Sequence, residues 1–468
     1  MRIRSLLAVA ITASTFAPAA YAQYNWGPAI TNRDSGDTTP WGRVHFDPTD
    51  SRIVWAAKTE VPDPFATDPL PASNGIWKSM NGGKAWTQMN SGDFSPDYHV
   101  LDFAICKADP NVIYAGTLVH GVFKTEDGGS TWMQMNNGLS KGGNSFPNEA
   151  WGAGALAVDP TDPNRAFVSV GQLGGIDILS PSPNHPGFFY TLDGGANWTM
   201  NNNGLPPTSD AFLDLVSNTG VAASLVVPGN APNTIYAGIL KVEANGKVLF
   251  GGKASARILV FKNTTGGTGA WTSVSDALPI LEQTNSGIGS VLRYAAGSGI
   301  LTVLSLGTQH VVYASVLGFA GEVYLDGSDV SQSVSQGIYI LPPGGTSWIG
   351  RNRGLPVIDN LDNREAINTS PVAVMPGDPY TILTGVLDAA SAGAKATKIW
   401  ATTTAGDPWL QNWNDVGLDV SPVDGFPHCN AAFIELAPDG RRVVASVLWE
   451  NDFGGDSLDD GVYMLPAP

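Results

Sequence analysis

Residues 125–139 read TEDGGSTWMQMNNGL, and residues 191–205 repeat the phrase as TLDGGANWTMNNNGL. Both copies fit the pattern S/T-x-D-x-G-x-x-W. A third copy, with Asn in place of Asp, occupies residues 79–86, and shorter echoes read GGTGAW at 266–271 and PGGTSW at 343–348. A phrase that recurs so closely within one chain indicates an internal structural repeat.

The residue types of the phrase predict a turn with a structural role. Glycine adopts positive φ at low cost in a hairpin, and an Asp carboxylate accepts backbone N–H groups of its own turn. The Trp ring packs a large apolar surface between repeats. Because Asn81 can cap the same turn without a charge, we expect Asp127 and Asp193 to serve stability rather than catalysis.

Short strands and tight turns surround each copy of the phrase. In the clearest unit, 99–140, the strands read VLDFAIC, VIYAGT, VFKT and TWMQM, and the phrase joins the third strand to the fourth. Six further units follow the same order with insertions. Four short strands repeated in this way are typical of β-propeller blades.

The two ends of the chain suggest how the ring closes. Residues 1–22 have the basic start, apolar centre and small-residue cleavage site of a secretory signal peptide. The seventh unit stops after its third strand, and YNWGPAI at 24–30 has the character of a missing fourth strand. The sequence therefore predicts an all-β fold, with residues 23–468 forming a single seven-bladed β-propeller of four-stranded antiparallel blades. The N-terminal strand completes the last blade; six or eight blades are the alternatives.

The repeated phrase resembles the Asp-box, or BNR repeat, of sialidases, of xyloglucan-degrading tandem-propeller hydrolases, and of sortilin-like and photosystem-assembly propellers. The first blade, with PWGRVHFDPTDSRIVWAAKTE, is similar to that of the xyloglucan-degrading enzymes. In those enzymes an Asp just after the second strand of this blade is catalytic, which the resemblance places near Glu60 or Asp63. No FRIP-like stretch of the sialidases occurs near the N-terminus.

The charge and the apolar content of the chain disfavour some classes of binding partner. The formal net charge of −17 repels nucleic acid and anionic membranes, and no apolar run after the leader is long enough for a bilayer span. We expect a secreted or periplasmic monomer that binds a poly- or oligosaccharide, with no nucleic-acid or membrane partner and no cofactor. The acidic run at 450–461 is the one candidate for Ca²⁺, and Cys106 and Cys429 fall on non-neighbouring units, which disfavours a disulfide.

A propeller blade presents two ends. The turn face carries the connections from first to second and from third to fourth strands, which are short here. The loop face carries the connections from second to third strands and from blade to blade. The second-to-third connections hold the long insertions, which we expect as loops at 58–73, 172–186, 241–254, 317–335, 387–394 and 449–459. Because elaborated loops on a rigid scaffold usually carry function, we expect the site on the loop face.

The candidate residues come from these loop-face connections, since residues just before a first strand should point toward the central axis. The expected catalytic residues are Glu60, Tyr98, His99, Glu365 and His428. The expected substrate-binding residues are His120, Glu149, Trp151, Arg293, Arg364 and Glu450. Each has a structural alternative: a solvated charge, a hydrogen-bonding histidine, a blade-packing Trp or a local ion pair.

Three classes of function remain open. A glycoside hydrolase needs two carboxylates, and the candidates are Glu60 with one of Glu149, Glu322, Glu365 or Glu450. A polysaccharide lyase needs a base such as His99 or His428, with Tyr98 as acid and an Arg for the uronate. The alternatives are a non-catalytic carbohydrate- or protein-binding or assembly propeller, and another small-molecule or redox chemistry.

Overall fold

The computed structural model shows an all-β chain built from short strands. It describes residues 27–31, 41–58, 75–96, 98, 100–117, 120–139, 153–170, 187–205, 222–245, 253–276, 278, 280–283, 300–316, 337–352, 355, 358–360, 364–366, 368–369, 372–387, 398–403, 413–415, 429–449 and 461–465. These residues contain no helix with the length and apolar character needed to cross a bilayer.

The strands assemble into seven blades. Strand β1 (Gly27–Thr31) precedes blade 1, which has β2 (Trp41–Phe46), β3 (Val54–Lys58), β4 (Ile76–Ser79) and β5 (Thr87–Gln88). Blade 2 has β6 (Val100–Ile105), β7 (Ile113–Thr117), β8 (Val122–Thr125) and β9 (Met133–Gln134). Blade 3 has β10 (Ala153–Asp159), β11 (Asp162–Val170), β12 (Gly187–Thr191) and β13 (Thr199–Met200). Blade 4 has β14 (Ala222–Val226), β15 (Ile235–Asn245), β16 (Lys253–Asn263) and β17 (Thr272–Ser273), with β18 (Ile280–Gln283) added along β16.

The remaining blades continue the order. Blade 5 has β19 (Ile300–Leu306), β20 (Gln309–Val316), β21 (Gly337–Leu341) and β22 (Ile349–Gly350). A two-stranded hairpin, β23 (Ile358–Asn360) and β24 (Arg364–Ala366), precedes blade 6. Blade 6 has a divided first strand, β25 (Asn368–Thr369) and β26 (Ala373–Val374), then β27 (Ile382–Leu387), β28 (Lys398–Thr402) and β29 (Asn414–Asp415). Blade 7 has β30 (Cys429–Leu436), β31 (Val443–Trp449) and β32 (Gly461–Leu465).

The N-terminal strand closes the ring, which confirms the predicted seven-bladed fold. Strand β1 pairs antiparallel with β32 as the outer strand of blade 7, with Ile30 opposite Val462. The first strands of neighbouring blades contact one another in turn, and β30 contacts both β27 and β2. Apolar side chains fill the spaces between adjacent blades, as in the cluster of Trp55, Phe103 and Trp132. The tryptophan expected to match the other blades in this strand, Trp26, lies outside the described residues.

The Asp of the repeated phrase holds its own turn, as predicted. Asp127 Oδ1 accepts the Thr131 N–H at 2.8 Å and the Thr125 hydroxyl at 2.8 Å, and its Oδ2 accepts the Thr131 hydroxyl at 2.6 Å. Thr125 Oγ1 in turn accepts the N–H of Gly129, whose φ is 91°. We call this arrangement the clasp turn.

The other copies make the same bonds. Asp193 Oδ1 accepts the N–H of Asn197 at 2.9 Å. Asn81 accepts the Ala85 N–H at 2.8 Å without carrying a charge. Blade 4, where only an echo of the phrase is visible, has Asn263 in the place of Thr125, and its Oδ1 accepts the N–H of Gly267 at 3.0 Å. Thr265 stands in the place of Asp127, and its hydroxyl accepts the N–H of Gly269 at 2.6 Å. The clasp turn therefore tolerates a carboxylate, an amide or a hydroxyl, as expected for a structural element.

The tryptophans of the phrase join each blade to the one before it. The indole N–H donates to a backbone carbonyl at the outer strand of the preceding blade in five blades: Trp132 to Met89 (2.8 Å), Trp198 to Met135 (2.8 Å), Trp271 to Asn201 (3.1 Å), Trp348 to Val274 (2.6 Å) and Trp413 to Arg351 (3.3 Å). Trp86 differs, since its indole donates to Gly83 of its own turn at 3.1 Å. These bonds fix the angle between successive blades.

The second half of the phrase, MNNGL, has its own structural role. Asn136 Oδ1 accepts the N–H of Val122 at 2.9 Å, where the third strand of the blade begins. The carbonyl of Asn137 accepts the N–H of Trp198 in the next blade at 2.9 Å. Gly138 has a φ of 88°, and a Cβ there would lie 2.2 Å from the Trp198 carbonyl oxygen. The phrase therefore links one blade to both of its neighbours.

Two features differ from the sequence-based interpretation or refine it. The segment 241–254 was expected to be a long loop, which is wrong, because β15 and β16 continue as a hairpin to the pair Asn245–Lys253. Cys106 is free and buried, and its Sγ donates to the Asp159 carbonyl at 3.3 Å. For Cys429 only the backbone, in β30, is described.

Candidate functional site on the loop face

Blade 2 shows how the two faces are separated. The clasp turn follows the C-terminal end of β8, whereas His120 immediately precedes the start of that strand. The clasp turn on the turn face is filled by its own hydrogen bonds. The long second-to-third connections therefore leave the blades at the opposite end, on the loop face.

Tyr98 and His120 form an aromatic pair on the loop face. Tyr98 lies two residues before β6, and His120 lies between β7 and β8, so both occupy the same end of blade 2. Their rings are stacked, with centroids 3.7 Å apart and planes inclined by 23°. Tyr98 also contacts the buried rings of Phe94 and Phe123. The pair therefore lies between the blade core and the loop-face surface.

The backbone of His120 is held in place by its surroundings. Its N–H donates to the Thr117 hydroxyl at 3.0 Å, and its carbonyl accepts the side-chain amides of Gln134 at 2.9 Å and Asn136 at 2.8 Å. The following residue, Gly121, has a φ of 80°, and a Cβ there would lie 2.2 Å from the Asn136 side chain. The backbone of His120 is consequently fixed, on a short connection.

Burial determines the charge of His120. The half-buried imidazole of His120 has its pKa lowered below the usual 6.5, because burial disfavours the charged form. The ring is therefore neutral at neutral pH, with one nitrogen able to accept a hydrogen bond or a proton. Such a side chain can act as a general base or as a sugar-binding acceptor.

The structure brings together two of the eleven candidate residues, Tyr98 and His120. For two more, Arg364 and Glu365, only the backbone is described; it lies in the hairpin strand β24, where Glu365 is opposite Asp359. The others lie outside the described residues: Glu60, His99, Glu149, Trp151, Arg293, His428 and Glu450. The acidic run proposed for Ca²⁺ also lies outside them, apart from Gly461. Among the residues that are described, no group of three or more His, Cys, Asp or Glu side chains is arranged to hold a metal ion.

A charged network on the inner strands was missed by sequence reasoning. Arg43 Nε lies 2.8 Å from Asp102 Oδ1, as an ion pair without hydrogen-bond alignment. Asp102 Oδ2 accepts the N–H of Leu156 at 2.8 Å, and the guanidinium lies 4.5 Å above the ring of Phe433. These contacts link blades 7, 1, 2 and 3. Asp102 is only 4% exposed, so its charge is balanced inside the ring by Arg43.

A second polar pair on the inner strands joins blade 1 to blade 7, where the ring closes. His45 Nδ1 lies 2.6 Å from Glu435 Oε2, and the imidazole packs edge-on against Phe103 at 4.8 Å. The sequence signal was present, since polar residues at 43, 45, 102 and 435 interrupt apolar first strands. Only the three-dimensional structure, in which blade 1 lies between blades 7 and 2, shows that these polar residues meet.

The comparisons with known proteins agree on the fold. The sequence matches no protein-family model and no curated protein sequence. Among solved structures, a GH74 enzyme of Niastella koreensis matches with a TM-score of 0.52 and 16% identity, over 94% of this chain and 53% of that one. A GH74 xyloglucanase of Xanthomonas campestris matches with a TM-score of 0.54 and 14% identity, over 94% and 55%. YCF48 bound to D1 peptide matches with a TM-score of 0.46 and 13% identity, over 95% and 96%.

The likeness to the two GH74 structures shows a shared β-propeller architecture. The chain spans about half the length of the two GH74 structures. At such low identity a common fold does not carry over an activity, because function depends on the residues of the site. The residues of the loop face must therefore decide the function.

Proposed function

We propose that the protein is an exported glycan-active enzyme, a glycoside hydrolase or polysaccharide lyase, that binds its poly- or oligosaccharide on the loop face. The observation that carries the proposal is the stacked pair of Tyr98 and a neutral His120 at that face. A propeller shared with two GH74 structures is compatible with it. The leader at 1–22 supports export to the periplasm or the medium.

The chemistry follows from the two side chains. A neutral imidazole accepts a proton and a phenol donates one, which are the two roles that β-elimination from a uronate requires. The stacked rings lie 3.7 Å apart, so one sugar unit bound against them would contact both. Hydrolysis would instead use two carboxylates from the loop-face glutamates, with Tyr98 and His120 positioning the sugar.

A second candidate is a non-catalytic binding propeller. Tyr98 packs on the buried rings of Phe94 and Phe123, so part of its role is structural. Under this alternative the pair would be one wall of a glycan- or protein-binding surface.

The test is a panel of neutral and uronate-containing polysaccharides incubated with the mature protein. A lyase yields unsaturated uronates that absorb in the ultraviolet, whereas a hydrolase yields reducing ends without that absorbance. We expect His120→Gln and Tyr98→Phe to lower the activity at least about tenfold. Tyr380→Phe is the matched control, since Tyr380 is 62% exposed on the first turn of blade 6, on the turn face.

One outcome would overturn the proposed enzyme activity, and a second would overturn the placement of its site. Binding to a polysaccharide without any product would establish the non-catalytic alternative. Activity that is unchanged in both folded variants, His120→Gln and Tyr98→Phe, would move the site away from blade 2.

A further inference from the structure

The joints between blades follow a regular pattern on the turn face. In two of them a second-strand tyrosine donates its hydroxyl to a carbonyl in the first turn of the next blade: Tyr114 to Pro163 at 2.8 Å and Tyr313 to Pro379 at 2.8 Å. At the joint of blades 1 and 2, Lys78 lies 4.3 Å over the Trp55 ring and donates to Gly128 of the next clasp turn at 3.1 Å. These contacts close the joints.

The joint between blades 4 and 5 departs from this pattern. The first turn of blade 5 is a two-residue hairpin, with Leu306 paired to Gln309, and it lacks the proline carbonyl of the other turns. Tyr236 therefore bonds to a side chain instead, with its hydroxyl 2.9 Å from His310 Nε2. The third-to-fourth turn of blade 5, PPGGTS at 342–347, also lacks the capping Asp or Asn.

A cavity of about 400 Å³ results at this joint. The polar side chains of Tyr236, Lys262 and His310 line it, together with the apolar side chains of Val274, Leu341 and Pro342. This volume lies in the range of small-molecule sites. The turn face was expected to leave little space for a ligand. At this joint the structure shows a cavity on that face.

The cavity carries one net positive charge. Lys262 Nζ lies 5.6 Å from the centre of the Tyr236 ring, and none of the described residues forms a hydrogen bond or ion pair with its ammonium group. Burial, followed by the Lys262 charge, lowers the pKa of His310, so the imidazole is neutral at neutral pH. Burial raises the pKa of Tyr236 to about 12, which keeps the phenol neutral. In a chain of net charge −17 this is a local cationic site.

We propose that the cavity between blades 4 and 5 binds a small organic anion, one carboxylate or phosphate group on an apolar body. Lys262 supplies the charge for the anionic group, and Tyr236 and His310 supply hydrogen-bonding atoms beside it. The body of the ligand lies against Val274, Leu341 and Pro342. The site is on the face opposite to Tyr98 and His120, so this inference does not depend on the proposed function.

Isothermal titration calorimetry of the full mature chain tests the site, with benzoate and phenyl phosphate as charged probes and benzyl alcohol as the neutral one. We expect at least one of the two anions to bind. Benzyl alcohol should bind at least about tenfold more weakly than that anion. Lys262→Met keeps the aliphatic stem over Tyr236 and removes the charge, and it should weaken the anion at least about tenfold. The matched control is Lys78→Met, at the same position of blade 1, which should change the affinity less than about twofold.

The preference between benzoate and phenyl phosphate assigns the anionic group. The proposal is overturned if neither anion binds at up to about 20 mM, or if Lys78→Met weakens the anion as much as Lys262→Met. It is also overturned if Lys262→Met, with an unchanged melting temperature, binds as the wild type does. His310→Gln offers a second variant, expected to weaken binding while leaving the glycan activity of the loop face unchanged.

Discussion

Asp127 shows at the scale of one residue what the repeated phrase does. Its two carboxylate oxygens accept three hydrogen bonds within the clasp turn, and the bonds to Thr131 are the largest cause of a pKa lowered from 3.8 to about 2. The same position in blade 1 is Asn81, which makes the corresponding backbone bond. The acid is therefore a turn ligand rather than a catalytic group.

Replacing this carboxylate should reduce stability and spare function. We expect Asp127→Ala to lower the free energy of unfolding by about 1 kcal/mol, because an exposed turn loses charge-assisted bonds that water partly replaces. Asp127→Asn should lose less, as Asn81 indicates. Urea unfolding measures both, and activity per folded molecule should not change. If activity were lost while stability stayed unchanged, the functional site would lie on the turn face rather than on the loop face.

The pH dependence of stability isolates the charge of Asp127. Because the folded pKa is depressed, its contribution is present above the ordinary pKa of 3.8 and is lost as the pH falls through about 2. The difference in unfolding free energy between wild type and Asp127→Asn should thus be constant above about pH 4 and shrink toward about pH 2. Urea titrations across this range measure it, and a difference that grows on acidification would contradict the assignment.

At the scale of elements, the indole bonds between blades carry the geometry of the ring. Trp132 is 1% exposed and donates to the carbonyl of Met89 in the preceding blade, whereas Trp86 is partly exposed and donates within its own turn. The same residue type in the same motif therefore has two different consequences. Sequence alone shows the equivalence of the two positions but not this difference.

The two tryptophans make a matched pair for mutation. Trp132→Phe should lower the free energy of unfolding by about 1–3 kcal/mol, because the Met89 carbonyl loses its donor and the smaller ring leaves unfilled space. Trp86→Phe should cost clearly less, since no bond between blades is lost. Chemical denaturation of both variants measures the difference. Equal losses would mean that the inter-blade bond contributes little.

The elements that could be predicted were those with a local signal in residue type and spacing. The clasp turns, the strands beside them and the closing strand β1 followed from residue type and spacing. The extension of β15 and β16 did not, although LKVEAN at 240–245 alternates apolar and polar side chains. So short an alternation does not show which strand it pairs with, and pairing between the two strands decided the structure of 241–245 and 253–254. The pairing of Tyr98 with His120 was likewise absent from the prediction, although both residues were named separately.

At the scale of the whole molecule, ring closure couples the two ends of the chain. Ile30 is 5% exposed in β1 and packs in the cluster that contains Val462 and Val44, so it connects blade 7 with blade 1. The His45–Glu435 pair spans the same joint on the inner strands. Opening this joint would expose the faces of two blades at once.

The closing strand should therefore control the stability of the whole propeller. Ile30→Asp places a charge in an apolar joint and should lower the free energy of unfolding by about 3 kcal/mol or more. Met200→Asp is the control, because Met200 is 47% exposed on the outer strand of blade 3. Calorimetry should show one transition shifted as a unit. Equal shifts in the two variants would mean that β1 does not hold the ring closed.

The sequence by itself determined the blade, the repeat and the closure, because turn chemistry and strand alternation act over a few residues and leave a local signature. Only the tertiary structure decided which side chains meet across blades: Arg43 with Asp102, His45 with Glu435, and Tyr236 with His310. These contacts join residues far apart in the chain, and their partners depend on how neighbouring blades pack. The open joint between blades 4 and 5 arises the same way, since a shortened turn becomes a cavity only when the next blade is in place.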